Sequence, residues 1–117
     1  MGINLIAEIG INHDGDYQKA ISLIKAAFES GADAIKFQYR NLARCYPVSN
    51  REEIGDQIIK TEIIRNYLKP ENILQLLKFG KSLNLKVGIS FFNIEDIKDF
   101  NNIERFDFFK VPSVELV

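Results

Sequence analysis

Six polar residues stand at the ends of otherwise apolar runs, where burial would be costly without a purpose. Glu8 lies near the end of the first run (I-N-L-I-A-E-I, residues 3–9), Lys36 near the end of the second (A-I-K-F-Q, 34–38), and Ser90 closes the third (L-K-V-G-I-S, 85–90). Lys110, Ser113 and Glu115 cluster at the end of the fourth, around F-F-K-V-P-S-V-E. Two lysines and two hydroxyls brought together make an anion site, with ammonium groups supplying charge and hydroxyls short donors to phosphate or carboxylate oxygens. Two carboxylates beside them could order a water or a sugar hydroxyl, or move a proton. Any one strand Lys or Glu is equally well explained by pairing with a neighbour or by reaching to solvent. Six of them at the ends of four successive runs favour a site. The loop G-I-N-H-D-G (residues 10–15) supplies a second candidate in Asn12 and His13, for which backbone bonding within the loop is an equally good account. His13 is the only histidine, so the chain cannot build a two-histidine metal site by itself.

The elements that must position these residues are legible as a βα rhythm. The run at 3–9 ends at Gly10 and has the look of a strand buried on both faces. Asp14 and Asp16 offer N-cap oxygens to a helix over about 17–30, whose Ala20, Leu23, Ile24, Ala27 and Phe28 form one apolar stripe, with Gly31 placed as a C′ glycine. A strand at 34–38 follows, completing a unit the size of one parallel βαβ crossover. Residues 39–56 are polar and irregular, longer than a typical βα connection, and loops of that length are usually functional or mobile. A helical segment is expected around 57–67. Pro70 suits the first turn of another helix, with Ile73, Leu76, Leu77 and Gly80 facing inward as it runs toward Asn84. Strand three spans 85–90, Asn93 caps a short helix with acids in its first turn, and strand four spans 107–111. Four strands alternating with helices predict an α/β fold of the parallel (β/α)8 TIM-barrel type, with about the first four βα units present. Residues 1–117 then form the N-terminal half of a barrel domain, an incomplete domain, because a full barrel needs about 250 residues.

Composition narrows the function classes. The chain has 117 residues, 46% apolar and 26% charged, and a formal charge of −1, so nucleic acid and membrane surfaces are not expected partners. The single Cys45 has no partner for an internal disulfide, which suits a cytoplasmic location, and its polar setting offers no acid–base group that would make it a nucleophile. Glu8 interrupts the first apolar run, no basic residues precede it, and Ile6 stands where a myristoylation signal has Ser or Thr.

The segment Ala7-Glu-Ile-Gly-Ile-Asn-His-Asp-Gly15 resembles the opening motif of the sialic acid synthase family, which includes the N-acetylneuraminate, legionaminate and pseudaminate synthases. Gly31-Ala-Asp-Ala-Ile-Lys-Phe-Gln38 resembles the family's second strand and Phe109-Lys-Val-Pro-Ser-Val-Glu115 its fourth, so the likeness covers essentially the whole chain. The resemblance implies a transferase of surface-polysaccharide biosynthesis. Such an enzyme condenses phosphoenolpyruvate with an N-acylated amino sugar to a sialic-acid-like nonulosonic acid and releases phosphate. It implies that Glu8 contacts the sugar, Lys36 the phosphoenolpyruvate carboxylate, and Lys110 and Ser113 its phosphate end. Ser90 stands where the family often has a threonine that helps hold this ligand, and Glu115 is implied to orient the attacking water. A divalent metal, manganese or magnesium, is implied too, with its ligands expected outside this chain.

Two departures stand out: Val114 where the family commonly has glycine, and Phe91 in place of a small residue or proline. The apolar V-E-L-V end reads as cut. The resemblance places the family's metal-binding histidines in the second half of the barrel and a sugar-contacting domain beyond it, so the 117 residues alone are expected to be inactive, and to form a homo-oligomer or belong to a longer chain. Two other readings stay open at this point. One is a different TIM-barrel enzyme acting on a phosphorylated substrate; the other is a non-catalytic, truncated half-barrel module.

Overall fold

In the computed structural model, residues 2–41, 64–101 and 103–111 are described. The first strand, β1, is Ile6–Gly10, and the first helix, α1, is Tyr17–Glu29. Asp16 caps α1, its carboxylate accepting from the backbone N–H groups of Gln18 and Lys19. Asp14, the other expected cap, instead takes a left-handed conformation (φ 54°) and pairs with Lys19. β2 is Ala34–Tyr39, α2 is Pro70–Ser82 with Pro70 in its first turn, and β3 is Lys86–Phe91. Two short 3₁₀ turns, Ile94–Asp99 and Ile103–Arg105, lead into β4, Phe108–Lys110. Asn93 caps the first of these turns by accepting from Glu95 N at 2.9 Å, as its position suggested, although the turn is 3₁₀ rather than α-helical. Of the helix expected at 57–67 only the end is described, with residues 64–65 helical; most of the 39–56 loop also lies outside the described residues.

Both helices end alike. In α1 the Ala32 and Gly31 N–H groups donate to Ala27 and Phe28 carbonyls; in α2 those of Leu85 and Asn84 donate to Gly80 and Lys81. This is the Schellman arrangement, and its left-handed residue is Gly31 (φ 86°) in one case and Asn84 (φ 63°) in the other.

The four strands form one parallel sheet in the order β1-β2-β3-β4, which is the first half of the expected barrel topology. α1 packs on β1 and α2, and α2 on β3. The close point is Gly80: a Cβ there would stand 3.0 Å from Ile35 and 3.1 Å from Val87, so the absent side chain lets the helix settle onto the strands. The core, with Ile24, Ile35, Phe37, Leu76, Leu77, Val87 and Ile89 fully buried, lies on this helix side.

Pairing register assigns the opposite, inner face. Paired residues in a parallel ladder share a face, so Glu8, Lys36, Gly88 and Phe108 form one row across the sheet. Gln38, Ser90 and Lys110 form the next row toward the strand C-termini. Phe108 lays its ring over Gly88, where a Cβ would stand only 2.1 Å from the ring, so the aromatic side chain paves the inner face where the glycine leaves it bare.

The expectation of a first strand buried on both faces needs correction. The ladder starts at Ile6 rather than Ile3, and just before it Leu5 is tied to the approach of β2, its N–H donating to the Asp33 carboxylate at 2.8 Å and its carbonyl accepting from Asp33 N and Ala34 N. Ile9 is buried, but Ile6, on the inner face, is 55% exposed.

Candidate active site at the strand C-termini

The inner-face rows bring three of the sequence-selected residues into contact. Lys36 Nζ lies 2.7 Å from Glu8 Oε2 and donates to Ser90 Oγ at 2.7 Å. The Lys36 side chain is 7% exposed and Glu8 43%, so a buried ammonium is held between a half-open carboxylate and a buried hydroxyl. Lys110 pairs with Ser90 across β3 and β4 and therefore shares its face, where it is exposed. Ser113 and Glu115 lie outside the described residues.

Gly10 shapes the edge of this cluster. The register shifts between Glu8 and Gly10, and Gly10 adopts φ 45°. A Cβ at Gly10 would stand 2.8 Å from Glu8 Oε1 and 3.1 Å from Gln38 Nε2, so the bare backbone gives both side chains room. Gln38 is the residue that reasoning from the sequence passed over. It lies two positions after Lys36, and strand parity alone places it on the same face at the mouth.

Asn12 and His13 serve the loop. Asn12 Nδ2 donates to the Glu8 carbonyl at 3.2 Å, and Asn12 N to the Ile9 carbonyl at 2.9 Å, closing the turn that follows β1. His13 is 1% exposed, and its Nδ1 accepts from Gly15 N at 2.9 Å. Burial pushes the imidazole pKa down, outweighing the Gly10 backbone and Asp14, which pull it up. The ring is thus a neutral acceptor that fixes the loop.

A second polar cluster ties β2 to the turn after β3. Asp99 Oδ2 accepts from Tyr39 Oη at 2.7 Å and from Asn41 Nδ2 at 2.8 Å, and Asp96 Oδ2 accepts from Asn41 N at 3.4 Å. Burial, then the bond to Asp99, pushes the Tyr39 pKa up, so the phenol stays a donor. Tyr39 also meets Phe100 edge-on at 4.9 Å, anchoring the turn to the core.

Among the described residues, no three His, Cys, Asp or Glu side chains gather as a metal site requires, so these residues do not fit the divalent ion. Among them, too, no helix is long and apolar enough to cross a membrane.

A buried lysine and serine beside a half-open glutamate, at the carboxyl ends of parallel strands, can be compared with known proteins. The NeuB family model matches residues 23–117. The chain belongs to the NeuB family. The N,N'-diacetyllegionaminic acid synthase of Campylobacter jejuni is 35% identical to it over 121 residues, covering 96% of this chain and 35% of that protein. The spore coat polysaccharide biosynthesis protein SpsE of Bacillus subtilis is 40% identical over 79 residues, covering 64% of this chain and 21% of that protein. The crystal structure of N-acetylneuraminic acid (sialic acid) synthetase from Leptospira borgpetersenii superimposes with a TM-score of 0.81 over 99% of this chain and 38% of its own. At 22% identity that likeness speaks for the fold. This NeuB-family chain spans about a third of the length of the Campylobacter jejuni relative.

Proposed function

We propose that this NeuB-family chain supplies the first four βα units of a cytoplasmic synthase that condenses phosphoenolpyruvate with an N-acylated amino sugar, yielding a sialic-acid-like nonulosonic acid and phosphate. One observation carries the reading: the buried Lys36 ammonium, in contact with Ser90 and Glu8 at the strand ends of a chain whose relatives include a legionaminic acid synthase. Lys36 would meet an anionic end of phosphoenolpyruvate, and Ser90 would add a short donor. Lys110 and Ser113 would hold the phosphate end. Glu8, half-open beside them, would take a sugar hydroxyl, with Glu115 orienting the water. The divalent metal implied by the family would draw its ligands from outside this chain.

Phosphoenolpyruvate carries a carboxylate and a phosphate on one small frame. A site that holds both ends binds it more tightly than inorganic phosphate or pyruvate, each of which satisfies one end only. Calorimetric titration of the 117-residue chain with the three anions tests this. The expected order places phosphoenolpyruvate first, and Lys36→Ala abolishes its advantage. Equal binding of all three, or an advantage that survives Lys36→Ala, would refute the assignment.

A further inference from the structure

A buried ammonium needs a counter-charge whether or not a ligand is bound, since an unpaired one would shift its protonation instead. Here that charge comes from Glu8, at 2.7 Å. The pair is asymmetric. Lys36 is almost wholly enclosed and tethered to Ser90, whereas the Glu8 side chain is 43% open. Its other oxygen, Oε1, rests over the bare backbone of Gly10. The lysine is therefore the fixed member and the glutamate the movable one. An anion arriving at Lys36 and Ser90 would meet the Glu8 carboxylate on the same ammonium, and like charges at that range repel.

We infer that Glu8 is the resident counter-ion of Lys36, and that an incoming oxyanion takes the ammonium over, turning the Glu8 carboxylate out into the mouth. The empty site is thus held closed by its own carboxylate. Occupation by an anion releases that carboxylate as an acceptor for whatever binds next. No bond is made or broken in the exchange; the Lys36 charge passes from one partner to the other, and Ser90 Oγ keeps accepting from Nζ while its own proton turns to the anion. The inference rests on the anion site proposed above, but needs only an oxyanion and not phosphoenolpyruvate itself.

The experiment is a titration of the full 117-residue chain with inorganic phosphate, followed by the phosphorus NMR line width, in wild type, Glu8→Gln, Glu8→Asp and Lys36→Ala. Removing the competing carboxylate should tighten phosphate by roughly fivefold in Glu8→Gln, the scale of a partly exposed ion pair. Glu8→Asp keeps the charge but is one methylene too short to keep the contact with Lys36. Exchange therefore predicts nearly the same gain. A gain in Glu8→Gln with wild-type affinity in Glu8→Asp would mean that only the field of the charge matters, and would overturn the inference. So would unchanged or weaker binding in Glu8→Gln. Phosphate binding that Lys36→Ala abolishes, with both Glu8 variants unchanged, overturns the exchange while leaving the anion site standing. Absence of phosphate binding in every form, or binding that Lys36→Ala leaves intact, overturns both.

Discussion

His13 is buried in the loop that leads from β1 to α1, and its neutral Nδ1 holds the Gly15 N–H. A pKa lowered in the folded chain has a definite consequence for stability. The unfolded chain, with an ordinary imidazole near pH 6.5, takes up its proton first as the pH falls. Stability is therefore complete above about pH 6.5 and declines as the pH drops toward the lower folded value. Because His13 is the only histidine, no other side chain with an ordinary pKa titrates between about pH 5 and 8. The urea midpoint of wild type should fall between about pH 7.5 and about pH 5.5, and His13→Asn should flatten that dependence. A wild-type midpoint that stays level across the interval would contradict the assignment. The same scale shows what the sequence could reveal of the site. Glu8, Lys36 and Ser90 were recognisable because a charged or hydroxyl residue at the end of an apolar strand is conspicuous. That Lys36 would be paired to both of the others was not, since a strand register and a side-chain path are needed to bring Nζ to Ser90 Oγ. Gln38 was missed for a chemical reason: an uncharged amide raises no alarm beside apolar neighbours.

At the scale of elements, the turns that return the chain from helix to strand set where the mouth residues land. Gly31 and Asn84 occupy the same left-handed position of the same motif, one after each helix. Nothing lies within 4 Å of the place a Cβ would take at Gly31, so a substitution there is opposed by backbone conformation alone. Gly31→Ala should cost about 1–2 kcal/mol, the penalty of a left-handed non-glycine residue. Gly31→Asn, which copies the second turn, should cost less than about 1 kcal/mol. Chemical denaturation of the two variants measures the difference, and equal losses would show that the left-handed φ does not govern the cost at this turn. The helix ends were legible because Asp16, Pro70 and Gly31 are residues with one strong positional preference each. The start of β1 was not. Ile3 and Leu5 are as apolar as Ile6, and it takes the backbone and carboxylate bonds that Leu5 makes to Asp33 and Ala34 to show where pairing begins.

At the scale of the whole molecule, β1 and β4 are the outer strands of the sheet among the described residues, and an outer strand presents backbone donors and acceptors along one side. Large apolar side chains stand exposed on these strands and just beyond: Leu5 and Ile6 at one edge, Phe109 at 51% and Val111 at 59% at the other. In a closed parallel barrel every strand has two neighbours, and the inner face is covered by the opposite wall. Produced on their own, the 117 residues therefore present a surface of the kind that seeks a partner or aggregates. The exposed strands of two copies point the same way around a common axis if β4 of one joins β1 of the other, giving eight parallel strands. Self-association should accordingly be visible by sedimentation at micromolar concentration, as dimers or larger species; a stable, soluble monomer would refute it. Association does not supply chemistry. The only histidine is enclosed in its loop, and among the described residues no three metal-ligating side chains gather in one place. A phosphate-release assay with phosphoenolpyruvate, an N-acylated amino sugar and manganese should thus give no turnover from these 117 residues, whatever their assembly state. Metal-dependent release from them alone would overturn that expectation, and would require ligands drawn from beyond the described residues.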